Sequence, residues 1–163
     1  MKLIKISVLL LLFFCRQGIG SAQKKHIDPI ACSSWRSTGG AAINHTGKYV
    51  YYIVENEPAG HKTLVFQSTE NTWKRSFTEI GYPSFVSTKK TDYAIVLDKK
   101  ERLMMISLGR DEVQYVDGVS AFNIFPDEKS EWIAYQEKVS GKLFFQNILT
   151  ERKYEYQDVI NYT

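Results

Sequence analysis

The chain has 163 residues, with 21 Lys and Arg against 18 Asp and Glu, 44% hydrophobic residues and two cysteines. Its formal charge of +3 is carried by Lys2, Lys5 and Arg16, which leaves 18 basic against 18 acidic residues in the remainder. A neutral body of this kind excludes the electrostatic footprint of a nucleic-acid or anionic-membrane binder.

Residues 1–22 read as a secretory signal. Lys2 and Lys5 form a basic start, Ile6 to Phe14 an apolar run broken only by Ser7, and Gly20, Ser21 and Ala22 supply small residues for cleavage before Gln23. A membrane-spanning helix needs about 20 apolar residues, roughly twice this run. Export to the periplasm or the extracellular space is therefore expected, with no membrane attachment once the signal is removed. Phe14 stands before Cys15 where lipidation requires a small residue. Loss of Cys15 leaves Cys32 without an intramolecular partner, and burial as a small apolar residue is its expected fate.

After a lead-in over residues 23–40, one pattern recurs about every 40 residues. In the first copy Ala41 to Asn44 is a short strand, His45–Lys48 a turn, Tyr49 to Glu55 a second strand, and Thr63 to Ser68 and Trp73 to Phe77 the third and fourth. The second copy runs through Tyr82–Val86, Tyr93–Asp98, Arg102–Ser107 and Glu112–Val116; the third through Ala121–Ile124, Trp132–Glu137, Lys142–Asn147 and Lys153–Gln157. Aromatic and β-branched residues fill the strands, while Gly, Pro, Asn, Asp and Lys fill the breaks. Four short strands per repeat of this length is the size of a β-propeller blade, and no 3.6-residue apolar period competes with it.

The expected fold is thus all-β, a partial β-propeller. Three four-stranded antiparallel blades span about residues 41–78, 82–117 and 121–158, and Val159 to Tyr162 is the first strand of a fourth, within a propeller region 41–163. A ring closes with typically four to eight blades, so the missing blades, or self-association, are the expected partners. Equivalent strands such as Tyr49–Glu55 and Tyr93–Asp98 are expected to face each other through side chains and not to share a ladder. Tyr49, Tyr93 and Trp132, which open those strands, and Met104–Met105 are explained by packing.

Catalytic motifs are absent from this pattern. Gly118-Val119-Ser120-Ala121-Phe122 lacks the last glycine of a nucleophile elbow, and His26, His45 and His61 have no ligand-spaced companion for zinc. Asp127-Glu128 and Asp111-Glu112 lack the alternating carboxylates of a calcium loop. No metal, cofactor or catalytic residue is expected. Lys24-Lys25, Lys89-Lys90 and Lys99-Lys100 read as solvated turn residues. Glu55 and Glu57 flank a loop that would face one rim of the ring, and they are the candidate substrate contacts.

The stretch Trp35-Arg36-Ser37-Thr38-Gly39-Gly40, followed by Ile43-Asn44-His45-Thr46-Gly47-Lys48-Tyr49-Val50-Tyr51-Tyr52, resembles the start of the propeller in secreted bacterial serine peptidases of the prolyl oligopeptidase family. Ser84-Phe85-Val86-Ser87 and Tyr93 to Val96 look like that family's next blade. The resemblance implies a propeller that sits over an α/β-hydrolase domain and gates peptide access to it. The family's catalytic Ser, Asp and His belong to the hydrolase domain and match no residue here. Sequence alone therefore points to a non-catalytic N-terminal propeller portion of such a peptidase. The alternative is a stand-alone exported propeller that binds or scaffolds and is assembled from several chains.

Overall fold

The computed structural model describes residues 29–125, 131–157 and 159. The expected signal, His26, the Asp127-Glu128 turn and all but Val159 of the last expected strand lie outside them; Val159 itself is not in a strand. The chain divides into Met1–Ser33 and Ser34–Thr163. Of the first unit only a five-residue helix, Pro29–Ser33, is described. Cys32 on it is exposed, which corrects the expected burial: a helix little more than one turn long has no apolar stripe wide enough to enclose a side chain.

The second unit is all-β. Twelve strands form three four-stranded antiparallel sheets in sequence order. Sheet I holds β1 (Ser37–Ile43), β2 (Tyr49–Glu55), β3 (Lys62–Ser68) and β4 (Lys74–Thr78). Sheet II holds β5 (Ser84–Ser87), β6 (Asp92–Leu97), β7 (Leu103–Ser107) and β8 (Val113–Val116). Sheet III holds β9 (Val119–Ile124), β10 (Trp132–Glu137), β11 (Leu143–Asn147) and β12 (Lys153–Tyr156). As expected, β2 and β6 lie in different sheets and share no ladder.

Strand β1 starts inside the expected lead-in, four residues before Ala41. Two glycines explain the difference. A Cβ on Gly39 would meet Glu55 Oε1 at 3.2 Å and one on Gly40 the Tyr82 ring at 3.2 Å, so a side chain at either position would make these neighbours give way by a few tenths of an ångström. A register shift between Thr38 and Ala41 takes up one extra residue on β1.

Polar side chains close the turns by replacing absent ladder bonds. Asn44 Oδ1 accepts from the Tyr49 N–H at 3.0 Å between β1 and β2, and Thr88 Oγ1 accepts from the Thr91 N–H at 3.1 Å at the corresponding place in sheet II. Between β11 and β12, Asn147 Oδ1 accepts from the Leu149 and Thr150 N–H groups at 3.0 and 2.8 Å. These are Asx and ST turns, which reverse the chain without leaving backbone donors unpaired.

The three sheets stack face to face, and sheet II lies in the middle. Its strands alternate. Ala94, Val96, Met104 and Ile106 join Ile53, Leu64 and Phe66 of sheet I in one core, while Ile95, Leu103 and Met105 join Ile133, Tyr135 and Phe144 of sheet III in the other. Every residue of β7 is buried, because a strand enclosed on both sides needs apolar residues on both faces. Tyr51 and Phe85 meet across the first junction with ring centroids 5.6 Å apart.

Each sheet thus has a front face, turned toward the next sheet in sequence, and a back face turned toward the preceding one. On the front faces, Leu64, Phe66 and Phe77 correspond by register to Leu103, Met105 and Val116 and to Leu143, Phe145 and Tyr156. On the back faces, Tyr52 of sheet I corresponds to Val96 and Tyr135. Among the described strands, no sheet packs on the back of sheet I or on the front of sheet III.

Candidate functional site

The turns gather at two ends of the stack. Loops β2–β3 and β4–β5 of sheet I share one end with β6–β7 of sheet II, and loops β1–β2 and β5–β6 share the other with β3–β4 and β7–β8.

The first end carries Glu55 and Glu57. Glu55 Oε1 lies 2.9 Å from Lys62 Nζ, across the last pair of the β2–β3 ladder, and the hydrogen bond to Glu55 holds the Lys62 ammonium above the usual lysine range. Glu57 Oε1 lies 3.2 Å from Arg36. A cationic substrate would have to displace these partners. Neither carboxylate lines the cleft of about 550 Å³ that opens between β4 and the β6–β7 loop. That cleft is walled by Phe77, Ile80, Asp98, Lys99, Arg102 and Tyr115.

Asp98 organises its floor. The side chain is only 5% exposed, and burial alone would raise its pKa. The Arg102 N–H at 2.9 Å, the Arg102 guanidinium at 2.8 Å and the Lys100 N–H at 2.8 Å outweigh that effect and hold the carboxyl below its ordinary value. Arg102 in turn lies over the Tyr115 ring, 5.2 Å from its centroid. Glu79 accepts from Lys99 and contacts His61 Nδ1 at 2.7 Å, and these two hydrogen bonds lower its pKa. All these charges are engaged with one another, so this end is organised for turn geometry.

The opposite end differs. A cleft of about 340 Å³ between sheets I and II is lined by Lys48, Lys89, Lys90 and Arg110, with Asp92 the one carboxylate among its lining residues. Asp92 Oδ2 accepts from Thr46 Oγ1 at 2.9 Å, which ties the β1–β2 loop to the start of β6. Arg110 Nη1 is 3.9 Å from Glu112, a separation at which an exposed pair gains little. Three turns distant in sequence place four cations around one recess. Such a recess suits a carboxylate or another anionic group, held by charge-assisted hydrogen bonds.

Lys89-Lys90, expected as solvated turn residues, share this recess with Lys48 and Arg110, which residue order does not single out. The signal lay in the repeat itself: these residues occupy the β1–β2, β5–β6 and β7–β8 turns, which a stack of aligned sheets brings to one end. Ser120 has a structural bond, its Oγ donating to the Gln136 carbonyl at 3.2 Å. Among the described residues no group of three or more His, Cys, Asp and Glu side chains could hold a metal ion. None of the described helices is long and apolar enough to cross a membrane. No family model matches the chain, and no curated protein is significantly similar to it.

Proposed function

We propose that the three sheets are consecutive blades of a β-propeller and that the protein is a non-catalytic, exported propeller module that binds peptide. The observation that carries this reading is the middle sheet, buried on both faces between two sheets of the same strand order. Repetition of one four-stranded unit with face-to-face packing is how a propeller is built.

Within this reading, the cationic cleft formed by Lys48, Lys89, Lys90 and Arg110 holds the carboxylate of a peptide terminus or an acidic side chain. The resemblance of Trp35–Tyr52 to the opening of the prolyl oligopeptidase-family propeller supports peptide as the ligand class. In that setting the module gates access to an α/β-hydrolase domain that carries the chemistry.

Two measurements test the proposal. A serine-directed fluorophosphonate probe should leave the purified protein unlabelled; specific labelling lost on denaturation would overturn the non-catalytic reading. An acidic peptide should bind with an affinity that falls with salt and at least about tenfold in Lys89→Glu, since one close charge pair is reversed. Binding indifferent to both would remove the cleft from the site.

A further inference from the structure

The recess at the β1–β2, β5–β6 and β7–β8 turns is unbalanced in charge. Lys48, Lys89, Lys90 and Arg110 stand against the single carboxylate of Asp92, an excess of three positive charges. Asp92 is already committed: its Oδ2 accepts from Thr46 Oγ1 at 2.9 Å, and Thr46 Oγ1 accepts in turn from Asn44 Nδ2 at 2.8 Å. Among the described residues no ion pair engages Lys48, Lys89 or Lys90, and Arg110 has only Glu112 at 3.9 Å. An anion can therefore enter without displacing a strong internal partner.

The donors available decide which anion fits. The turns spend much of their backbone on themselves: Gly47, Leu108 and Arg110 donate their N–H groups to the carbonyls of Asn44, Asp92 and Ser107, and Lys90 and Thr91 donate theirs to Thr88 Oγ1. Phosphate sites are built the other way, from backbone N–H groups that converge in a loop or nest. Here the binding groups are long charged side chains from three separate turns, which suits carboxylates set a few atoms apart, one of them in the fork of Arg110. A single carboxylate would answer only one of the three excess charges. The volume of about 340 Å³ lies near the lower end of ligand pockets, about 300 Å³, and so suits one residue at the end of a chain.

We propose that the recess selects peptides that end in an acidic residue, whose α-carboxylate and side-chain carboxylate are both held by Lys48, Lys89, Lys90 and Arg110. The turns that carry these cations are braced in advance. Thr69 donates its N–H to the Lys48 carbonyl at 2.9 Å, and the Thr46 bond to Asp92 ties the β1–β2 turn to sheet II, so little ordering remains to be done on binding. The inference rests on the peptide reading of this recess and adds which residue of the peptide it reads.

Calorimetric titration of the full chain with four acetylated peptides of one neutral sequence decides it. They end in glutamate or glutamine, each with a free or an amidated terminus. The peptide with both carboxylates should bind tightest; loss of either should weaken binding at least about tenfold, and loss of both at least about a hundredfold. Lys48→Gln should narrow the gap between the doubly and singly charged peptides at least about threefold, a change of selectivity that a loss of folded protein would not produce. If free-terminus glutamine or amidated glutamate matches free-terminus glutamate, one carboxylate suffices: this inference is overturned and the peptide reading stands. Four peptides that bind equally, or not at all, would remove the recess from the site and sink both. Inorganic phosphate that displaces the doubly charged peptide at a lower concentration than glutarate, a dicarboxylate of the same spacing, would also overturn the inference.

Discussion

Tyr52 and Tyr135 occupy the same register position of sheets I and III, each with its hydroxyl on a glutamine of the neighbouring strand. They differ in what lies above them. Tyr135→Phe should therefore cost about 1 kcal/mol, the net value of a buried hydrogen bond. Tyr52→Phe should cost only a few tenths of that, because Tyr52 is half-buried and water can take the place of its hydroxyl at Gln67. Urea unfolding of the two variants measures both. Equal costs at the two positions would show that Tyr52 is as well covered as Tyr135.

Asp98 supplies the clearest pH dependence. Its carboxyl is held below the ordinary value of 3.8, so the native state binds that proton more weakly than the unfolded chain does. The resulting stabilisation is complete above that value and is lost as the pH falls through the lower, folded one. Asp98→Asn should destabilise the protein by about 1 to 3 kcal/mol at pH 7, since it weakens the hydrogen bonds that the buried Asp98 carboxylate accepts from the half-exposed Arg102 and from the turn N–H groups. The gap between variant and wild type should narrow at pH 3. A gap that stays constant with pH would mean that turn geometry, not charge, is responsible.

Gly109 and Gly47 both have positive φ, +82° and +73°, yet they should respond differently to alanine. At Gly47 nothing lies within 4 Å of the added Cβ, so only backbone strain remains, about 1 kcal/mol. At Gly109 the Cβ would run into the Tyr49 hydroxyl, and Tyr49 is packed against the first core. Gly109→Ala should cost about 2 kcal/mol or more once that overpacking is added. Similar denaturant midpoints for the two variants would contradict this.

Met105→Ala should cost about 2 to 5 kcal/mol, because it opens a cavity between sheets II and III. Val139→Ser, on a side chain 94% exposed in the β10–β11 turn, should stay within about 0.5 kcal/mol. Thermal unfolding of the two variants side by side is sufficient. A small loss at Met105 would mean that the second junction is loosely packed.

Much of this molecule is legible from residue order alone, because strands and turns are local. Tyr49–Glu55 and Trp132–Glu137 have the bounds that their aromatic and β-branched runs predict, and Asn44, Thr88 and Asn147 mark turns by side-chain chemistry that needs no distant partner. Which face of each strand turns inward is another matter. Along Leu103–Ser107 apolar residues continue without alternation, and a period that is missing cannot assign Met104 to one core and Met105 to the other; only the packing of sheets on both sides does so. The early start of β1 at Ser37 depends likewise on how closely Gly39 and Gly40 approach Ile53 and Tyr82. The cationic cleft belongs to the tertiary structure as well. Lys48, Lys89 and Arg110 are tens of residues apart, and each is an ordinary turn residue until stacking sets their charges around one recess. Residue order determined the repeating unit, since hydrogen-bond ladders and turns are specified by neighbours. Tertiary structure decided the faces, junctions and recesses, which exist only between one repeat and the next.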